Sequence, residues 1–253
     1  MKQIVFITGA TSGFGWAMAH IFAQNNYSII ATGRRQERLE QLKKSLGEMS
    51  NAEVLTLCFD VRSQTEVADM VQNLPKGWQK IDILINNAGL AAGRGKAQDA
   101  LLSDWEQMVD TNLKGVFYVT KCVLPLMIAA KNGHIINVSS IAGKQAYMGG
   151  SVYCATKFGL EAFTQALRAD VLEHGIKVSS ISPGAADTEF SLVRFKGDAA
   201  QASATYTGFE PLQAQDVAEA VWFMANRPDH VNIADLTILP KAQASATQIH
   251  KND

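Results

Sequence analysis

The sequence predicts one α/β domain in which a parallel sheet of about seven strands is covered by helices on both faces. The chain has 253 residues and an apolar content of 47%, which is enough for one large buried core. Short runs of Val, Ile and Leu alternate with stretches whose apolar residues recur at helical spacing. Strands that are apolar throughout are typical of a parallel sheet buried on both faces, and the alternation with helices predicts a Rossmann-type doubly wound fold.

The alternation of strands and helices continues through most of the chain. The expected strands are 3–8, 27–32, 53–59, 81–86, 134–139, 177–181 and 235–239, and the longest helical stretch is 103–131, with an interruption at Gly115. Residues 188–208 break this rhythm with small and polar side chains, and we expect them to form a mobile substrate lid. The domain is therefore assigned to residues 1–240. The polar tail, 241–253, is either disordered or an arm on a neighbouring subunit.

Composition and charge argue against several classes of partner. The net charge is -1 and no basic run is interleaved with aromatic residues, so neither nucleic acid nor a membrane is indicated. The N-terminal apolar run is too short for a secretory signal, and we expect a cytoplasmic protein with no segment that spans a bilayer. The three cysteines form no CxxC and are expected to be reduced core residues, and the histidines show no metal-binding spacing, so no metal is expected.

Candidate chemistry is concentrated at the start of one apolar-faced helix. Tyr153 and Lys157 are four residues apart, which places a phenol and an ammonium on the same helix face. A lysine held near a tyrosine favours the phenolate, so Tyr153 is a candidate general acid or base that exchanges its proton nearer neutral pH. The alternative is an ordinary helix pair without a catalytic role.

A glycine-rich turn follows the first strand. The segment from Thr8 to Gly15 has the spacing GxxxGxG and leads into a helix, where a pyrophosphate can lie against backbone N–H groups at the positive end of the helix dipole. The spacing differs from the usual GxGxxG fingerprint. The alternative is a glycine turn that binds no ligand.

Two arginines stand at the end of the second strand, where NAD-binding proteins place an acid for the ribose hydroxyls. Arg34 and Arg35 supply permanent charge and paired donors that suit a 2′-phosphate, so NADP is predicted in preference to NAD. The alternative is that the arginines pair with Glu37 or Glu40 on the next helix.

The chain resembles the short-chain dehydrogenase/reductase family over nearly its whole length. The resemblance rests on the glycine turn, on Asn86-Asn87-Ala88-Gly89 after the fourth strand, and on Tyr153 and Lys157 with a serine thirteen residues before the tyrosine. It implies that Ser140 binds the substrate oxygen, Tyr153 transfers the proton, Lys157 tunes Tyr153 and holds the nicotinamide ribose, and Asn112 holds a relay water. The cofactor contacts that it implies are Gly9, Thr11, Ser12, Gly13, Phe14, Gly15, Arg34, Arg35, Asp60, Val61, Asn87, Ala88, Gly89, Tyr153, Lys157, Pro183, Gly184 and Thr188.

Within the family, the segment from Thr188 to Asp198 is similar to NADP-dependent serine and 3-hydroxy acid dehydrogenases, the group that includes L-allo-threonine dehydrogenase and malonic semialdehyde reductase. This similarity implies oxidation of the 3-hydroxyl of a small acid such as L-serine or 3-hydroxypropanoate. The substrate contacts are then Ser140, Tyr153 and Arg194, because a guanidinium binds a carboxylate through two bonds. Lys196 is the weaker candidate, and Arg194 has the alternative of a solvated loop residue or a contact with a neighbouring subunit.

Two other functions stay open from the sequence. One is a broad-specificity NADPH carbonyl reductase, which small residues around the lid would permit. The other is a non-catalytic NADP(H)-binding protein, because a fold does not fix a function. The family resemblance also implies a homotetramer.

Overall fold

A computed structural model describes residues 2–252 and confirms the predicted fold class. In this part of the chain seven parallel strands form one sheet in the order β3-β2-β1-β4-β5-β6-β7. The strands are β1 Ile4–Ile7, β2 Ser28–Gly33, β3 Val54–Cys58, β4 Ile83–Asn86, β5 Gly133–Val138, β6 Ile176–Pro183 and β7 Asp235–Ile238. The two neighbours of β1 are β2 on one side and β4 on the other, so the order of the strands reverses at β1. At such a reversal a cleft opens at the carboxyl ends of the strands.

The helices lie on both faces of the sheet. They are α1 Gly13–Gln24, α2 Gln36–Met49, α3 Gln64–Gln72, α4 Leu102–Val109, α5 Gly115–Ala130, α6 Ser151–Asp170, α7 Glu189–Arg194, α8 Ala199–Ala204 and α9 Ala214–Ala225. Buried residues of α1, α2 and α9 pack with one set of strand side chains, and those of α3, α5 and α6 pack with the other set. Alternate residues of one strand serve the two cores: Val5 and Ile7 belong to the first, and Ile4 and Phe6 to the second.

The long helix before β5 differs from the prediction in two respects. It is not broken at Gly115, because a π-helical segment, Asp110–Lys114, joins α4 to α5. The whole stretch Leu102–Ala130 has 29 residues, with a window of mean hydropathy 1.5, so by length and composition it could cross a bilayer. The expectation that no segment reaches this length and apolarity was therefore wrong. Val119, Val123 and Met127 on its inner face are fully buried in the second core, which accounts for part of its apolar character.

The cysteine prediction is correct in part. Cys58, Cys122 and Cys154 are free thiols, and Cys154 is buried as expected. Cys58 is exposed, contrary to the prediction, because it is the last residue of β3 at the edge of the sheet. No group of three His, Cys, Asp or Glu side chains that could hold a metal ion lies within residues 2–252.

Candidate active site

The glycine turn after β1 is held close to the end of β4. Gly9 and Gly13 have positive φ angles of 67° and 52°, a backbone conformation that glycine adopts without steric cost. A Cβ atom on Gly15 would lie 2.3 Å from the Gly9 carbonyl oxygen, so this position accepts no side chain. Asn87 Nδ2 donates to the carbonyl oxygens of Thr8 and Gly9, at 2.9 and 3.1 Å. The turn therefore has a fixed shape at the start of α1.

The two arginines after β2 have different partners. Arg34 lies 3.6 Å from Asp60, which follows β3. Arg35 donates to the Thr11 hydroxyl at 3.0 Å and pairs with Glu189 of the lid at 2.9 Å. Neither arginine pairs with Glu37 or Glu40, so that alternative was wrong within the described residues. Both arginines line the cavity that begins at the glycine turn.

Glu189 receives a second cation. Arg38 Nη2 donates to its other carboxylate oxygen at 2.8 Å. The carboxylate is partly desolvated, but the hydrogen bonds from Arg35 and Arg38 outweigh this and hold the pKa of Glu189 below its usual value. An acid carried by the lid thus lies among the cations of the candidate cofactor site.

Asn112 is buried in the π-helical segment and its side chain is fully used. Its Oδ1 accepts from Leu90 N–H at 2.9 Å, and its Nδ2 donates to the Leu90 carbonyl at 2.8 Å and to Thr156 at 3.1 Å. These bonds tie the chain after β4 to α6. The implied role of Asn112 in holding a relay water stays a prediction. In the structure, its side chain hydrogen-bonds to the backbone of Leu90 and to Thr156.

Tyr153 and Lys157 are both buried, with 7% and 5% of their surfaces exposed. Lys157 Nζ lies 5.9 Å from the centroid of the Tyr153 ring and donates to the Val138 carbonyl at 2.9 Å. Burial lowers the pKa of Lys157 to about 8, while the charge of Glu161 opposes this shift. The helix therefore brings the pair together as the spacing predicts.

The pKa of Tyr153 differs from expectation. Burial, the largest cause, raises it well above the usual value of 10.0, and Tyr147 adds to the rise. Ser140 and Arg194 act in the opposite direction, since both favour the phenolate. The lowering of the Tyr153 pKa that was expected from Lys157 is thus not found, because desolvation of the phenolate outweighs the effects of Ser140 and Arg194.

Ser140 precedes the turn after β5 and lies beside Tyr153. Its hydroxyl accepts a hydrogen bond from Ala142 N–H at 3.1 Å, which begins a short 3-10 turn, Ile141–Gly143. Its interaction with Tyr153 favours the phenolate. A hydroxyl and a phenol therefore face the same end of the cleft.

Arg194 at the end of α7 approaches this end of the cleft from the lid. Its guanidinium carbon lies 5.7 Å from the ring centroids of both Tyr153 and Tyr147, and its Nη2 donates to the Tyr147 hydroxyl at 3.0 Å. Phe190 of the same helix lies 5.7 Å from the Tyr153 ring, centroid to centroid. Lys196 pairs instead with Asp104 at 2.9 Å, so of these two lid cations it is Arg194 that lies beside Tyr153.

A cavity of about 440 Å³ joins the glycine turn to Tyr153. Most of the predicted cofactor residues line it: Gly9, Thr11, Ser12, Gly13, Phe14, Arg34, Arg35, Asp60, Val61, Asn87, Ala88, Gly89, Tyr153, Lys157 and Thr188. Gly15, Asn112, Ser140, Pro183, Gly184 and Arg194 do not line this cavity, and Arg194 borders a neighbouring cavity of about 610 Å³. Lining residues that the sequence did not predict are Gly33, Phe59, Leu90, Thr111, Val138, Ser139, Glu189, Phe190 and Val193.

The tail packs on the segment that follows β6. Gln243 is 7% exposed, and its Oε1 accepts from Ala185 N–H at 2.8 Å. A Cβ on Gly184 would lie 2.2 Å from the same oxygen. Asn252 N–H donates to the Gly208 carbonyl at 2.7 Å, so the tail also reaches the end of the lid. The described part of the tail is therefore ordered against its own subunit.

Comparison with known proteins adds to this geometry. Residues 3–198 match the family model described as short chain dehydrogenase. The chain is 46% identical over 252 residues to the NADP-dependent 3-hydroxy acid dehydrogenase YdfG of Salmonella typhi, which covers 99% of this chain and 100% of the relative. This chain belongs to the short-chain dehydrogenase/reductase family. The family resemblance drawn from the sequence, and with it the prediction that the protein is an oxidoreductase, is confirmed.

Other members of the family match over similar lengths. The chain is 45% identical to sulfoacetaldehyde reductase 2 of Chromohalobacter salexigens, with 96% of each protein covered. A solved structure described as the closed form of serine dehydrogenase complexed with NADP+ has a TM-score of 0.92 and 46% identity, and covers 99% of this chain and 100% of that structure. This short-chain dehydrogenase therefore shares both fold and sequence with relatives that act on small molecules.

Proposed function

We propose that this protein is an NADP-dependent oxidoreductase that transfers a hydride between the nicotinamide and the 3-hydroxyl or 3-oxo carbon of a small hydroxy acid such as L-serine or 3-hydroxypropanoate. The observation that carries the substrate class is the position of Arg194. An anion-binding guanidinium lies 5.7 Å from the ring of the candidate proton donor. A carboxylate held there places the 3-hydroxyl, whose oxygen is three bonds from the carboxylate carbon, within reach of Tyr153.

The residues of the cleft fit the cofactor that its NADP-dependent relatives use. The glycine turn presents backbone N–H groups at the start of α1 and, at Gly15, leaves no room for a side chain. Arg34 and Arg35 border the same cavity and offer the charge that a 2′-phosphate requires. Bound NADP supplies the hydride acceptor for the reaction.

The chain's own residues hold the substrate oxygen and move its proton. Ser140 donates a hydrogen bond to the substrate oxygen, and Tyr153 accepts the hydroxyl proton during oxidation or returns it during reduction. Lys157 stabilises the phenolate that forms and holds the ribose beside it. Because burial raises the pKa of Tyr153, formation of the phenolate depends on the positive charge of neighbouring groups.

Rates on a small panel of substrates test this proposal. The panel contains L-serine, 3-hydroxypropanoate, malonic semialdehyde, sulfoacetaldehyde and a neutral ketone, each with NADP(H) and NAD(H). We expect the carboxylate or sulfonate substrates with NADP(H) to give the highest kcat/KM. A higher kcat/KM for the neutral ketone would favour a broad carbonyl reductase, and binding of NADPH without turnover would favour a nucleotide-binding protein.

We also propose a cytoplasmic homotetramer. Phe117 of α5 and Phe158 of α6 are 37% and 44% exposed, so these two helices present large apolar side chains to the outside of the subunit. Burial of such side chains between subunits is favourable. Light scattering on the purified protein measures the assembly, and a monomer at micromolar concentration would contradict it.

A further inference from the structure

A buried carboxylate connects three segments of the candidate active site. Glu161 lies on α6 one turn beyond Lys157 and is 5% exposed. Its Oε1 accepts from the hydroxyls of Ser180 and Ser182 on β6, at 2.6 and 3.2 Å, and its Oε2 accepts from Lys144 at 2.7 Å. Lys144 directly follows the 3-10 turn that begins at Ser140. Such a buried charge is costly unless it is paired and hydrogen-bonded, and here it is both.

The turn after Ser140 also packs directly on the Lys157 segment of α6. A Cβ atom on Gly143 would lie 2.9 Å from the Lys157 carbonyl oxygen, so the two backbones are in close contact at this point. Lys144 therefore reaches Glu161 across a short, fixed distance. The hydroxyls that donate to the other oxygen belong to β6, which ends at Pro183, one of the implied cofactor contacts.

We propose that Glu161 is a positioning residue of the reaction: its carboxylate fixes the Ser140 turn and the Lys157 turn of α6 against β6, and supplies a negative charge one helical turn from the Lys157 ammonium. This rests on the proposed function, since it assigns Glu161 to the oxidoreductase site. The charged groups around the carboxylate are Lys144 after the 3-10 turn, Asp235 on β7, which also pairs with Lys144, and Lys157 on the same helix. β6 contributes the two hydroxyls.

The negative charge of Glu161 changes the pKa of Lys157 in a known direction. A negative charge near an ammonium favours its protonated form, so Glu161 raises the pKa of Lys157 against the lowering caused by burial. Removing this charge lets the pair of Tyr153 and Lys157 lose a proton at lower pH. Reduction of a carbonyl needs the protonated phenol and the ammonium, so its kcat/KM falls as the pH rises through the pKa of the pair.

The test compares E161Q with K144M in the direction of carbonyl reduction, as kcat/KM from pH 6 to 10. Glutamine keeps the size of the side chain and its acceptor oxygen, but removes the charge. For E161Q we expect the alkaline limb of the profile, where kcat/KM falls with rising pH, to move to lower pH by about one unit. For K144M we expect the limb of the kcat/KM profile to move to higher pH, because the variant removes a positive charge that pairs with Glu161.

Opposite shifts separate the proposed role from a structural one. If Glu161 served the fold alone, both variants would lose thermal stability, and their kcat would fall by the same factor at every pH. The alkaline limbs of both variants would then have the same midpoint pH as the wild type. That result, or a shift of both limbs in one direction, would overturn the proposal. If E161Q does not fold, E161D is the deciding variant: it keeps the charge but withdraws the carboxylate from Lys144 and β6, so we expect the pH profile of the wild type with a lower kcat. An unchanged kcat in E161D would overturn the proposal.

The same variants are titrated with NADPH by fluorescence at each pH, which does not depend on turnover. If the wild type reduces no substrate of the panel, the proposed function fails, and the pH dependence of NADPH binding still reports the charge state of Lys157. In that case a binding profile for E161Q that matches the wild type would overturn the role of Glu161 separately.

Discussion

The floor of the cleft and the lid above it hold their functional side chains in different ways. The floor is formed by the ends of β4 and β5, by the π-helical segment Asp110–Lys114 and by α6. On it, Asn112 is 1% exposed and makes three hydrogen bonds, and Lys157 is 5% exposed. On the lid, residues 188–208, Leu192 and Val193 are 40% and 49% exposed, and Glu189 is held by ion pairs at the surface.

This difference matches what each part is proposed to do. Proton transfer needs donor and acceptor within hydrogen-bond distance, so its groups gain from burial and from several fixed contacts. Groups that select and release a ligand must exchange partners, and exposed ion pairs cost little to break. The floor is therefore expected to determine whether the reaction occurs, and the lid to determine which molecules react.

The strongest test of this comparison removes one hydroxyl from each part. Tyr153→Phe on the floor deletes the proposed proton donor, so we expect kcat to fall by about 10²- to 10⁴-fold while the Kd for NADPH changes little. Tyr206→Phe deletes a lid hydroxyl that donates to the Ala186 carbonyl at 2.6 Å and contacts Ser191. We expect this control to raise KM and to leave kcat within a few-fold, measured by steady-state rates and by fluorescence titration.

The proposed difference between floor and lid would be wrong if removal of the two hydroxyls had similar effects on kcat and KM. A Tyr153→Phe enzyme with most of its activity would show that another group transfers the proton. A Tyr206→Phe enzyme with a large loss of kcat and normal KM would place the lid within the chemical step.

A smaller effect is expected from the lid cation. Arg194→Ala removes the guanidinium beside Tyr153, and the loss of charged hydrogen bonds to a carboxylate, about 1.5–3 kcal/mol, corresponds to a rise in KM of about 10- to 150-fold. A neutral ketone makes no such bonds, so its KM should change far less. Arg94→Ala is the matched control, because Arg94 lines the same neighbouring cavity and is exposed. An equal rise for both substrates would refute carboxylate recognition by Arg194.

The fold and the residues of the floor were largely predictable, because the sequence patterns that indicate them each occupy a short segment of the chain. Apolar runs, helical spacing and the glycine turn each occupy a few consecutive residues, and Tyr153 and Lys157 share one helix. The strand ends that carry the floor residues then meet at one edge, because the carboxyl ends of parallel strands in such a sheet lie together.

The lid contacts and the ion pairs could not be predicted in the same way. Glu189 lies 154 positions from Arg35, and Lys144 and Glu161 belong to a turn and a helix whose packing the sequence does not show. Phe190 had a weak signal, as a large apolar residue in a polar stretch. The raised pKa of Tyr153 depends on burial by the folded chain, and the spacing to Lys157 carries no information about it.

The smallest expected effect concerns the acid that the lid places among the cofactor cations. The ion pairs of Glu189 with Arg35 and Arg38 are partly exposed and are worth roughly 0.2–1 kcal/mol each, and a 2′-phosphate bound to Arg35 would compete with this carboxylate. We therefore expect Glu189→Gln to tighten NADPH binding by about 2- to 5-fold and to leave NADH binding nearly unchanged, measured by fluorescence titration at low ionic strength.

The matched control is Glu37→Gln, on the exposed first turn of α2. This change alters the net charge equally, so a general electrostatic effect would appear in both variants, whereas exchange at Arg35 appears in Glu189→Gln. Weaker NADPH binding in Glu189→Gln would mean that the acid orients Arg35 for the phosphate. The lid would then contribute a fixed contact to the cofactor site, and the division between floor and lid would hold for the substrate side alone.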